Sequence, residues 1–185
     1  MKITDDYVFF WKENPFCNYT KCKIKFADPY FVPIEEEPLV FSSSEQLFMW
    51  LKAKFFGDDS TANKIYLTTS PEEARKLGRE VKNYDDTIWN TVRVDYMRKA
   101  VFSKFIQNKD LRTQLIDSKY DNKVFVEASP YDKIWGIGYS ENDLLYSYKD
   151  TWGRNELGKI LTDIRTKLKE MDNLINDLGL EEIHE

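Results

Sequence analysis

The strongest constraint on the fold is helical periodicity in two long segments. From about Asp86 to Ile106, apolar side chains fall at Trp89, Val92, Tyr96, Ala100 and Val101. From about Asn155 to Leu178 they recur at Ile160, Ile164, Leu168, Met171, Ile175 and Leu178. Steps of three and four residues place each set on one face of a helix, and such a face has to be covered by something. Shorter helices are predicted from Ser44 to Phe56, ended by Gly57, and from Pro71 to Leu77, with Ser70 as N-cap and Gly78 as the stop. A third spans about 109 to 117. Strand-like runs are few: residues 7 to 11, 22 to 26 and 124 to 127. The second alternates Cys22, Ile24 and Phe26 against Lys23 and Lys25. Residues 27 to 40, with three prolines and Glu35 to Glu37, read as a surface excursion. The expected class is α+β: one helix-dominated domain with a small β-sheet. A hydrophobic content of 42% with seven Gly and six Pro in 185 residues excludes disordered and low-complexity classes.

The histidine count narrows the chemistry. The single histidine, His184, stands beside the C-terminus, so a Ser-His-Asp or Cys-His machine has no base to use. Cys17 and Cys22 lack a partner Cys or His cluster, and a metal site is not expected. The opening MKITDDYVFFWKEN is too charged for a signal peptide, and no apolar run approaches a membrane span. A reduced, cytoplasmic protein with no membrane partner is expected. The formal charge of -5 argues against a broad polycationic surface, though not against a local basic cleft. Catalysis would have to rest on carboxylates, Lys, Arg, Tyr or a thiol.

Three constellations could carry it. In Ser42-Ser43-Ser44-Glu45-Gln46, one reading is a capping box, with Ser42 at the N-cap and Glu45 folding back to its amide. Against that, Lys52 lies two turns after Glu45 on a face shared with Phe48 and Met49, where both charges would be expensive to bury without a purpose. Lys54, on another face, reads as solvated. On the long helix, Arg93, Met97, Ala100 and Lys104 share a stripe. The two cations either snorkel or bind phosphate. The densest segment runs from Glu127 to Gly138 and holds Glu127, Ser129, Tyr131, Asp132, Trp135 and Gly136 directly after a strand. It reads either as a structural turn or as a binding loop. Its Gly-Ile-Gly is not a dinucleotide fingerprint, because no GxGxxG is present.

In order along the chain stand FWKENPFCNY, SSEQLFMWLKAKFFGD, PEEARKLGR, W-x3-R-x3-M-x2-A-x3-KF-x-QN, LR-x2-L, VEASPYDKIWGIG and W-G-x-N-x-LG-x2-L-x3-R. From about residue 7 to residue 168 this resembles the NADAR, or YbiA-like, family. The resemblance implies a domain over residues 1–168, with 169–185 as a C-terminal helical extension rather than a separate domain.

It implies an N-glycosidase that needs no metal or cofactor. Such an enzyme cleaves ribose–nitrogen bonds in ADP-ribosylated guanine or in phosphorylated riboflavin intermediates. By position it implies catalytic roles for Glu45, Lys52 and Asp132. Substrate contacts are implied for Asn18, Arg93, Lys104, Glu127 and Trp135, with Ser129, Tyr131 and Gly136 of the same loop. Many relatives carry His after the residue matching Glu45, whereas this chain has Gln46. The expected partner is an N-glycoside bearing ADP-ribose or phosphoribose, on DNA or free. A non-catalytic ADP-ribose-binding module is the alternative from another class. The tail helix is expected to pack on the core or to form a dimer seam, so monomer and homodimer both stand.

Overall fold

A computed structural model of the chain describes residues 1–143 and 147–179. His184 and the last residues of the predicted extension lie outside the described residues. In chain order the elements are β1 (Lys2–Ile3), β2 (Tyr7–Phe10), β3 (Ile24–Phe26), β4 (Leu39–Phe41), α1 (Ser44–Phe55), α2 (Asp59–Leu67), α3 (Pro71–Arg79), α4 (Asp86–Gln107), α5 (Lys109–Ile116), β5 (Val124–Glu127) and α6 (Glu156–Asp177). The class is α+β and helix-dominated, with two small sheets. The chain divides into two compact units: an outer one from residues 1–11 and 113 onward, and an inserted one from residues 12–112.

In the outer unit, β1 pairs antiparallel with β2, and β2 pairs parallel with β5, Phe10 standing opposite Glu127. Phe9, Val126, Ala128 and Ile137 form a buried cluster with Tyr7, Tyr139 and Trp152 packed on it. α6 lies on β5 and runs unbroken past residue 168. The Thr162 hydroxyl accepts from the Phe125 amide at 3.0 Å and donates to the Gly158 carbonyl at 2.9 Å. Ile160, Ile164 and Leu168 of the predicted stripe are buried, but Met171 is 39% and Leu178 61% exposed. The reason is length: a four-residue strand spans about 13 Å, whereas a helix of this size runs to about 33 Å.

In the inserted unit, β3 and β4 form an antiparallel pair, Ile24 opposite Phe41, with Ile24 and Phe26 buried and Lys25 exposed, as the alternation requires. The other edge of β3 is closed by side chains from the end of α4. Gln107 exchanges hydrogen bonds with the Lys25 backbone at 2.8 and 3.0 Å, and Asn108 with that of Lys23 at 3.2 and 3.0 Å. α1 packs against α2, α3 and α4, burying Leu47, Phe48, Trp50, Leu51 and Ala53.

Three elements were not expected from sequence: β1, of only two residues, α2, which buries only Thr61, Ala62 and Ile65, and β4, three residues at the end of the proline-rich excursion. Gly78 does not stop α3 but lies within it: a Cβ there would meet the Met49 sulfur at 2.2 Å, so the glycine lets α3 press against α1.

Candidate active site

The start of α1 resolves the ambiguity of its three serines. The N-cap is Ser43, not Ser42, and its hydroxyl accepts from the Gln46 amide at 3.1 Å. The Gln46 side chain completes the cap. Its Oε1 accepts from the Ser42 amide at 2.7 Å, and its Nε2 donates to the carbonyls of Ile65, Tyr66 and Thr68 at 3.0, 3.1 and 2.5 Å, closing the end of α2. The capping work offered to Glu45 by spacing is thus done by Gln46. Glu45 stands in the first turn, 6% exposed, where the helix dipole favours its charge.

Asn18 holds that turn in place. Its carbonyl accepts from the Glu45 amide at 3.1 Å, its Oδ1 accepts from the Ser44 hydroxyl at 3.1 Å, and its Nδ2 donates to the Met97 sulfur at 3.1 Å. Next to it, the Tyr19 hydroxyl accepts from Arg75 at 3.3 Å. Burial raises the Tyr19 phenol, and the Glu45 charge adds to that rise.

Lys52, two turns along α1, is half-buried. Its Nζ donates to the Gly78 carbonyl at 2.8 Å and sits 4.1 Å from the centre of the Tyr84 ring. Burial lowers this amine below the usual lysine range, while the Asp86 charge pulls the other way. Tyr84 donates to Asp86 Oδ1 at 2.7 Å, and burial with that carboxylate pushes its phenol up to about 12. Arg93 is 7% exposed, and its charge acts on both Tyr84 and Asp86. Its Nε has no hydrogen-bond partner among the described residues. A buried guanidinium N–H without an acceptor is costly, and an anion would relieve that cost.

Lys104 departs from the expectation of a phosphate ligand. It is fully buried, and its Nζ donates to the carbonyls of Pro15 at 2.7 Å and Cys17 at 2.8 Å. Burial drops its titration to about 8. Its work is to hold the loop that carries Asn18. Lys104→Met fills the same space but strands both carbonyls, so it should cost about 3 kcal/mol, read as a lowered denaturation midpoint.

In the outer unit, the loop after β5 is fixed by its own backbone. Asp132 Oδ1 accepts from the amides of Ile134 and Trp135, both at 2.8 Å, a turn-forming role. The carbonyls of Lys133, Ile134, Trp135 and Gly136 receive the amides of Arg154, Glu156, Leu157 and Asn155, which satisfies the open N-terminus of α6. Gly136 is buried, and a Cβ there would meet the Glu127 carbonyl at 2.6 Å. Asn155, with φ of 51°, bridges the strand end by accepting from the Glu127 amide and donating to the Phe125 carbonyl, both at 2.9 Å. Ser129 is buried, Glu127 and Trp135 are half-buried, and Tyr131 is 88% exposed with its ring 6.2 Å from that of Trp11.

The inserted unit therefore gathers Asn18 with the start of α1, and Lys52 with the end of α3 and the start of α4. Tyr19, Arg75, Tyr84 and Asp86 join these groups and were not singled out from sequence. Asn155 was visible only as one letter of a motif. Among the described residues no group of three or more His, Cys, Asp or Glu could hold a metal ion, and no helix is long and apolar enough to cross a membrane.

Residues 9–169 match the model of the NADAR domain. The chain is 36% identical over 170 residues to an N-glycosidase of Acanthamoeba polyphaga mimivirus, spanning 88% of this chain and 96% of that one. It is 30% identical over 169 residues to an N-glycosidase of Nostoc punctiforme, spanning 90% and 91%. In fold it resembles the solution structure of the Escherichia coli protein YbiA, with a TM-score of 0.67 at 24% identity over 100% of this chain and 94% of that one.

Proposed function

The chain belongs to the NADAR domain family, and on that footing we propose that it is an N-glycosidase acting on guanine that carries ADP-ribose, in DNA or as a nucleotide. It cleaves the bond between the ribose carbon and the guanine nitrogen and releases ADP-ribose. Curated relatives named N-glycosidases over nearly their whole length support the reaction class. The observation that supports the site assignment is a buried carboxylate at a helix N-terminus, Glu45, standing beside a cap that Ser43 and Gln46 form.

The chemistry follows from these groups. When the C1–N bond breaks, its electron pair stays with guanine, which takes up a proton, and positive charge develops at the ribose carbon. The Glu45 carboxylate stabilises that charge and takes the proton of an attacking water. Lys52 offers a second route. As a free amine it bonds to the ribose carbon while guanine leaves. Opening of the sugar ring then gives an imine, and water hydrolyses it to return the amine and free ADP-ribose. Burial of Lys52 favours the free amine that this route needs. The buried, unfilled Nε of Arg93 suits a phosphate oxygen of the substrate. Every group assigned here lies within the inserted unit.

The test offers purified protein an oligonucleotide bearing ADP-ribosyl-guanine and, separately, a phosphoribosylamino-pyrimidine, with products read by mass. Free ADP-ribose from the first supports the reading. Ribose phosphate from the second alone moves the substrate to riboflavin intermediates, and turnover of neither leaves a binding module.

A further inference from the structure

Tyr84 does not behave as a core tyrosine. It is 43% exposed, yet its ring covers the Lys52 amine at 4.1 Å and its hydroxyl is tied to Asp86 at 2.7 Å. Asp86 is held in turn by the Asn90 side chain, which donates to its second oxygen at 2.9 Å. The chain is steered to this point. The Lys82 amide donates to buried Asp58 at 2.9 Å, and Asn83 takes a left-handed φ of 55°, a conformation asparagine tolerates. An edge-on contact of the ring with Phe56 at 5.3 Å fixes its other side. Ordering three polar side chains at the surface costs entropy and buries little apolar area. The arrangement converges on the one amine assigned to the reaction.

We propose that Tyr84 is a positioning residue for Lys52, and that Asp86 locks the ring over the amine and sets when the amine is free to react. This rests on the reading of Lys52 given above. Lys52 Nζ is held by the Gly78 carbonyl at 2.8 Å and by the ring at 4.1 Å, so its place is set by two separate contacts. The ring keeps water from the amine, which disfavours the ammonium; its face also attracts that cation, but burial is the largest influence on Lys52 and lowers it. The Asp86 carboxylate favours the ammonium by its charge. The charged groups of this corner, from the start of α4, are Asp85, Asp86 and Arg93, and only Asp86 has a resolved effect on Lys52. Ring and carboxylate therefore act in opposite senses on one proton.

That opposition gives the test. Lysines of the full chain are dimethylated with carbon-13 formaldehyde. The resonance missing from Lys52→Arg is then titrated in the unsubstituted protein, Tyr84→Leu, Tyr84→Phe and Asp86→Asn. The midpoint should move to higher pH in Tyr84→Leu, where water reaches the amine, and to lower pH in Asp86→Asn. Tyr84→Phe, which keeps the ring but loses its tie to Asp86, should fall between the unsubstituted protein and Tyr84→Leu. Midpoints that coincide in all four proteins, or that move together in one direction, overturn the proposal. In parallel, cyanoborohydride trapping on ADP-ribosyl-guanine should fall about tenfold in Tyr84→Leu, with part of the yield recovered in Tyr84→Phe, which keeps the ring without its lock. An unsubstituted protein that traps no adduct at all sinks the imine route instead, and the titration still decides the role of Tyr84.

Discussion

Glu45→Gln is expected to slow ADP-ribose release about a thousandfold while the protein stays folded. The substitution keeps the shape of a side chain that is almost wholly enclosed, and it disturbs no cap, because Ser43 and Gln46 form the cap between them. The Asn18 carbonyl still receives the residue 45 amide. What goes is the negative charge, worth only a few tenths to about 1 kcal/mol against the helix dipole. In catalysis it is the group that meets the developing cation. Release measured by mass, beside a thermal melt within a few degrees of the unsubstituted protein, checks both halves. Near-full activity in a folded Glu45→Gln would remove the central assignment.

Lys52→Ala is the second large effect: about a thousandfold loss of turnover and complete loss of the borohydride-trapped adduct. The pH dependence has a definite sign. The amine attacks only when neutral, so the rate rises with pH through the Lys52 titration and then levels. Burial places that rise below the pH at which an ordinary lysine loses its proton. Lys54 is the matching control. It pairs with Asp59 at 2.5 Å, with the Asp59 side chain 76% exposed, and pairs of that kind contribute little. Lys54→Ala should keep both turnover and adduct. An adduct that survives in Lys52→Ala would exclude Lys52 as the amine that forms the imine and leave it a purely electrostatic part.

The long helices could be read from sequence because α4 and α6 repeat apolar residues over many turns, and periodicity is the one signal that accumulates with length. The start of α1 was illegible for a physical reason. In a run of three serines, Ser42 with Glu45 and Ser43 with Gln46 are equally spaced pairs. Only the carbonyls of Ile65, Tyr66 and Thr68, which need Gln46, decide between them. Those carbonyls belong to α2, a helix the sequence concealed. Gly78 misled in the same way, since a helix-ending glycine and a close-packing glycine look alike until Met49 is placed. Lys104 and Arg93 share a stripe, yet one amine is used up by loop carbonyls and the other cation keeps an unfilled N–H. Both are buried, so it is their partners that separate them, and partners are not written in the spacing. Tyr84 and Asp86 escaped notice because the turn that brings the ring back over Lys52 leaves no periodic trace.

The parallel pairing of β2 with β5 also orders events in time. One strand lies at the beginning of the chain and the other begins at residue 124, with the whole inserted unit between them. On a ribosome adding about 5 to 20 residues per second, β2 waits roughly 6 to 23 s for its partner to be made. During that interval the helices and hairpin of residues 12–112 have everything they need to fold, and the small sheet does not. The outer unit is thus completed last, and a chain arrested before residue 124 should carry a finished inserted unit beside an open strand edge, which is a substrate for chaperones.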